Sequence, residues 1–208
     1  MLRLDHLGYA VRDLDGAAVR FREELGLDSV VGGRHAGFGT ANRIVPLGDQ
    51  YIEIVGAVDE AEAQGSVFGR SVLERTAQGD GWLVIVVTTD DVEVEAARLG
   101  LEVTTGARSR PDGSEVRWRM TGLDAPEREP WMPFFMTWDI PDELHPGRQR
   151  AGHGVPARGL AWVEVGGDPE RLRAWLGGQD LPIRVTDAPP GIVRAAVATA
   201  GGGEIVID

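Results

Sequence analysis

Three times along this chain a strand-like run gives way to a helical segment and then to three short β-rich runs, a recurrence that restricts the fold more than any other feature. The first pass is LRLDHLGYAVRD, then DLDGAAVRFREELG with Asp13 as N-cap and Gly26 as stop, then DSVVGGR, TANRIVPLG and QYIEIVGAV. The second is WLVIVVTTD, DVEVEAARLG, LEVTTGARSR, EVRWRM and PFFMTWDI, with Asp90 aligned on Asp13. The third is LAWVEVGG, DPERLRAWLGG, LPIRVTD, IVRAAVAT and EIVID, with Asp168 as cap and Pro169 at the first helical position. These define βαβββ modules over residues 1–58 and 79–140 and a βαβββ-like module over 159–208. Residues 59–78 read as a connecting helix, and 141–158, rich in Pro, Gly and charge, as a linker or cleft loop.

Composition removes several functions. With no cysteine there are no disulfides, thiolate nucleophiles or thiolate metal sites, so a metal must be held by His, Asp, Glu or Asn atoms. A net charge of −12 without a basic stripe argues against nucleic acid as a partner. No apolar run approaches the ~18 residues of a membrane span, and charges stand where a signal peptide is apolar, so a cytoplasmic protein without membrane contact is expected. Neither a nucleophile elbow nor a P-loop is present, and the glycines lack the strand, G-x-G-x-x-G, helix order of a dinucleotide site.

The stretch HAGFGTAN, His35 to Asn42, interrupts plain sheet with polar residues. Turn chemistry accounts for Gly37, Gly39 and Asn42, less well for His35. On residue pattern alone His6 is a core or cleft histidine, and Glu53, between Ile52 and Ile54, alternates onto a face that would meet water. Arg43 could offer a fork to a substrate carboxylate or simply be solvated. Phe134 and Phe135 read as core, Trp138 as core or pocket wall, and Trp118 lies opposite Arg117 and Arg119 by alternation. His145 and His153 belong to the linker.

The motifs LDH in the first strand, GGRHAGFGTAN before YIE, and PFFMTW in the second module resemble those of the glyoxalase-like domain family of the vicinal oxygen chelate superfamily, across nearly the whole chain. The resemblance implies paired modules in a cupped, partly open barrel. It implies a divalent ion, zinc, iron, manganese or nickel, on the concave side. His6 and Glu53 take the first- and fourth-strand ligand positions, and His35 is expected to complete the set. In the second module Leu83 falls on His6, and Met136 and Thr137 fall near the Glu position, so two of the four family ligands are missing.

Two functions follow as expectations. One is a metal-dependent lyase, isomerase or dioxygenase acting on a small carbonyl-bearing or oxygenated molecule, with the ion as Lewis acid and Glu53 moving the proton. Thr40, Asn42, Arg43, Trp118 and Trp138 would contact the ligand, and His145 would arrive with the loop. The alternative is a metal-free binding or sequestering protein with an apolar ligand against Trp118 and Trp138. A third reading has the final module pair with a second chain in a homodimer.

Overall fold

The computed structural model describes residues 1–208. Strand β1 (Arg3–Ala10) leads into helix α1 (Leu14–Leu25), followed by β2 (Val30–His35), β3 (Thr40–Pro46) and β4 (Tyr51–Ala57). The Asp13 carboxylate accepts from the N–H groups of Asp15 and Gly16, and Gly26 ends the helix with a φ of 69°. The connection holds two short helices, α2 (Glu60–Gln64) and α3 (Val67–Ala77). The second half comprises β5 (Gly81–Thr88), α4 (Val92–Leu99), β6 (Thr104–Ser109), β7 (Glu115–Thr121) and β8 (Phe134–Trp138).

These eight strands close into a barrel in the order β1-β4-β3-β2-β6-β7-β8-β5. Each half pairs its first strand in parallel with its last, His6 opposite Tyr51 and Val86 opposite Phe134. The halves meet along β1–β5, and the opposite seam, β2–β6, is closed by one bridge, Arg34 to Ser109. At that seam a Cβ on Gly33 would lie 1.9 Å from the Ser109 carbonyl oxygen, so only glycine lets the strands approach.

One alignment is corrected. The cap of α4 is Asp91, whose side chain accepts from the Glu93 N–H, whereas Asp90 pairs with Arg3 and the N-terminal amine. Setting Asp91 on Asp13 moves the repeat by one residue. Val84 rather than Leu83 then occupies the place of His6, and the strand registers put Phe134 in the place of Glu53. The second-half positions are still apolar.

The last segment adds β9 (Ala157–Gly166), α5 (Pro169–Trp175), β10 (Ile183–Thr186), β11 (Gly191–Thr199) and β12 (Glu204–Ile207). Its element order repeats that of the other modules, but its pairing does not. The sheet order is β10-β9-β11-β12, with the first strand parallel to the second rather than to the last. This sheet covers the outside of the barrel, where Val163, Val165, Ala195 and Val197 join Leu7, Ile85, Val87 and Phe135 in one core. Gln50 ties the layers, donating to the Leu4 carbonyl at 3.0 Å and accepting from Leu160 N–H at 2.8 Å. The apolar face of the third module is therefore covered by the chain's own barrel. No helix is long and apolar enough to cross a membrane.

Because Phe135 is fully enclosed between barrel and outer sheet, Phe135→Ala is expected to cost ~3–5 kcal/mol in urea unfolding. Val206→Ala, at an exposed site, should stay within about 0.5 kcal/mol.

Candidate functional site

Alternation makes neighbouring strand side chains point to opposite faces, so Asp5 and His6 should not meet. They do, because β1 carries a bulge: Leu4 pairs with Val87 and His6 with Val86, leaving Asp5 as the extra residue. Asp5 Oδ1 lies 2.5 Å from His6 Nδ1. Its other oxygen accepts from Trp138 Nε1 and from His145 Nε2, each at 3.1 Å. His145 Nδ1 accepts from the Gly147 N–H at 3.1 Å, which places that ring's proton on Nε2. By the same reasoning His6 carries a proton on Nδ1, toward the carboxylate, and its Nε2 is left for the pocket. The His6 ring is stacked on Tyr51, with centroids 4.2 Å apart. Burial alone would raise the Asp5 carboxyl, but the hydrogen bonds from His145 and His6 outweigh it and hold Asp5 well below the usual carboxylate range.

A second buried network comes from β2, β3 and β4. Glu53 Oε1 accepts from Asn42 Nδ2 at 2.5 Å, and His35 Nδ1 lies 2.9 Å from Thr40 Oγ1. His35 Nε2 stands 3.3 Å from the Asn42 amide nitrogen and 3.4 Å from Glu53 Oε1. The first contact requires a lone pair on Nε2 and the second a proton there, so the tautomer of His35 decides which partner it holds. For Glu53, too, burial pushes upward, yet hydrogen bonding and charge from His35, the charge of His6 and the Asn42 bond bring it down to about 2. Glu53 does not face water, because the polar side of β4 is the barrel interior.

The glycines of GGRHAGFGTAN have specific tasks. A Cβ on Gly32 would lie 2.0 Å from Asn42 Oδ1, and one on Gly39, at a φ of +66°, would lie 2.2 Å from the backbone of α2. Gly8, opposite Glu53 in register, keeps the space between that carboxylate and Val84.

These networks line a pocket inside the barrel whose empty volume, mouth included, is about 480 Å³. As the aromatic side chains stand, only about 40 Å³ of it admits a water-sized body, so a larger ligand has to displace part of the wall. Phe38, Phe68 and Trp118 form one side, and Trp138 stands 5.8 Å from Trp118. On the far side of the Asp5–Trp138–His145 cluster, a more open cavity with an empty volume, mouth included, of about 1490 Å³ lies between the barrel and the final module.

The expected site residues divide. His6, His35, Asn42, Glu53, Trp118 and Trp138 all line the inner pocket. Thr40 is fully buried behind His35. His145 reaches Asp5 from the outer cavity. Arg43 points outside the barrel, where it bonds Ser29 Oγ at 3.1 Å and Asp15 at 3.0 Å. The substrate-binding role expected for it is therefore corrected. His153 is a tie, accepting from Asp28 N–H and standing 2.7 Å from the Pro46 carbonyl oxygen.

The arginine that does enter the pocket is Arg108, on β6. It is 2% exposed, and neither of its Nη nitrogens has a partner. Burial lowers its guanidinium below the ordinary 12.5, opposed by Tyr51 and Glu53. Nothing in TTGARSR distinguishes Arg108 from Arg110; the signal lay across the seam, in the two glycines that leave room for its side chain.

The family's four-ligand set is not present in this chain. No three imidazole or carboxylate groups converge on one point. Val84 and Phe134 occupy the second-half positions opposite, so those two positions supply no ligand. His6, His35 and Glu53, the first-module set expected from the sequence, line the same pocket without converging on one point.

An eight-stranded barrel of two βαβββ halves, with its polar residues gathered inside, is the architecture of the vicinal oxygen chelate superfamily. The model of the glyoxalase-like domain family matches residues 4–179, and the chain belongs to that family. Among solved structures, a hypothetical protein from Staphylococcus aureus superposes with a TM-score of 0.67 at 16% identity, covering 100% of this chain and 86% of its own. Methylmalonyl-CoA epimerase of Streptomyces coelicolor, in complex with 2-nitronate-propionyl-CoA, is similar at a TM-score of 0.46 and 20% identity, over 65% of this chain and 95% of its own. The Mycobacterium tuberculosis epimerase gives 0.43 at 20% identity, over 65% and 86%. No curated protein matches the chain.

A carboxylate whose folded value is depressed stabilises the fold above its unfolded value, and that contribution disappears as pH falls through the folded one. Wild-type stability is therefore expected to decline as pH drops from about 4.5 toward about 2, and Glu53→Gln should decline less steeply. Urea unfolding of both proteins at pH 7 and at pH 3 checks this.

Proposed function

We propose that the barrel pocket binds a small carbonyl-bearing molecule and that the protein moves a proton on it. The observation that supports this reading is the Asp5–His6 pair at 2.5 Å, which fixes the imidazole tautomer and turns Nε2 toward a pocket walled by aromatic rings. An oriented imidazole backed by a buried carboxylate is the arrangement general acid–base catalysis requires. A proton on the carbon beside the carbonyl passes to His6 Nε2, the electron pair moves onto the carbonyl oxygen as an enolate, and return of a proton to that carbon regenerates the carbonyl compound with its carbon-bound proton exchanged for one from solvent. Asp5 keeps its charge and stabilises the imidazolium. Glu53, fully ionised and held by Asn42 and His35, is too weak a base to compete and serves to set the local field.

A panel of small ketones, aldehydes and oxo acids incubated in D₂O with the protein tests this, with loss of the carbon-bound proton followed by NMR. Exchange that His6→Gln slows by roughly 100-fold or more supports the reading. No exchange with any member of the panel, or exchange unaffected by His6→Gln, contradicts it.

The second reading, a binding or sequestering protein, is favoured by one observation: 10 of the 15 residues lining the pocket are hydrophobic. A panel that raises the melting temperature without exchanging protons would select it.

A further inference from the structure

Most polar groups of the inner pocket are satisfied by one another, and the exceptions meet at one place. Asp5, His6, His35 and Glu53 each have a partner within 2.5 to 3.4 Å, yet both terminal nitrogens of Arg108 are buried and unpaired. An unpaired buried cation is costly, and native structures retain one where it has something to hold. Arg108 reaches the cavity from β6, over the hollow left by Gly32, where a Cβ would lie 2.9 Å from Nη1. The same hollow is bordered by Asn42 Oδ1, a buried acceptor that also lacks a partner. Even with Nη1 joined to Asn42 Oδ1, Nη2 would keep no partner within the protein.

We infer that Arg108 is the anchor for a carboxylate on the ligand, so the pocket selects small carboxylic acids with an apolar or aromatic body over neutral molecules of the same shape. Two terminal guanidinium nitrogens match the two oxygens of a carboxylate, which is the geometry of the stronger bidentate pairs. Glu53 also acts on Arg108 electrostatically, but its Oε1 is bonded to Asn42 and no hydrogen bond joins it to the guanidinium, whose terminal nitrogens stay unpaired. Phe38, Phe68 and Trp118 provide the surface for the ligand's body. This deepens the proposed function and rests on it for one point only, that the ligand occupies the inner pocket.

The test compares benzoate, phenylacetate and phenylpyruvate with benzamide and phenylacetamide by calorimetry, on the wild-type protein, Arg108→Met and Arg108→Lys. The carboxylates are expected to bind roughly 10- to 100-fold more tightly than their amides to the wild type. That preference should vanish in Arg108→Met and shrink in Arg108→Lys, which keeps the charge and loses the fork. The melting temperature without ligand gives an independent reading. Arg108→Met removes an unpaired buried charge while conserving length, so the free protein should melt at the same temperature or higher.

A carboxylate preference that survives Arg108→Met, no carboxylate binding at millimolar concentration, or a marked fall in the variant's melting temperature would each overturn the assignment. The last result would mean that Arg108 is a structural counter-charge to Glu53 and Asn42. If neutral carbonyl compounds still exchange deuterium in a His6-dependent way, the proton-transfer reading stands although the anchor has failed. Loss of that exchange with carboxylate binding intact would be the reverse case.

Discussion

Closing eight strands into a barrel puts one side of every strand where water hardly reaches, so each polar residue on that side needs a partner from another strand. Most of the interior follows from this requirement. Glu53 tolerates burial because Asn42 donates to it from the neighbouring strand, and His35 is held by Thr40 across the β2–β3 turn. Asp5 tolerates it through His6, Trp138 and His145, which come from three different segments. Both carboxylates remain ionised because these donors outweigh desolvation. The polar interior is thus organised before any ligand arrives, apart from the guanidinium of Arg108 and the Asn42 carbonyl oxygen beside it.

Irregularities of the backbone make this possible. A regular β1 would turn Asp5 away from His6; the bulge between Leu4 and His6 brings them together. A second irregularity, between Val31 and Gly33 on β2, accompanies the glycines that admit the Asn42 amide and the Arg108 side chain. The outer sheet has a different role. By covering Leu7, Ile85 and Phe135 it lets β1 and β5 be apolar on one side and hold the site on the other.

Much of the architecture was legible in the sequence because local rules agree with the fold. Asp13 and Asp168 cap their helices, Gly26 ends α1, and the strand runs fall where their turns allow. The third module's pairing was not legible, since element order does not say which strand lies beside which. Within the site, His6, His35, Asn42 and Glu53 stood out as polar residues inside apolar strands. Asp5 was hidden by alternation, which a bulge violates, and Arg108 by a strand of ordinary polar character whose burial depends on a seam with β2, far away in the sequence. Arg43 drew attention through its position beside Asn42, but the same alternation sends it outside to Asp15.

The chemistry ascribed to the pocket depends on the orientation of one ring. If Asp5 fixes His6, the imidazole presents Nε2 to the ligand; if it does not, the pocket is only a cavity with a histidine in its wall. The most direct measurement is long-range ¹⁵N–¹H NMR of the four histidines at neutral pH, assigned with His6→Gln. His6 should carry a hydrogen-bonded proton on Nδ1, exchanging slowly with solvent, and Asp5→Asn should abolish that protection. A His6 ring with a bare Nδ1 and its proton on Nε2 would contradict the account.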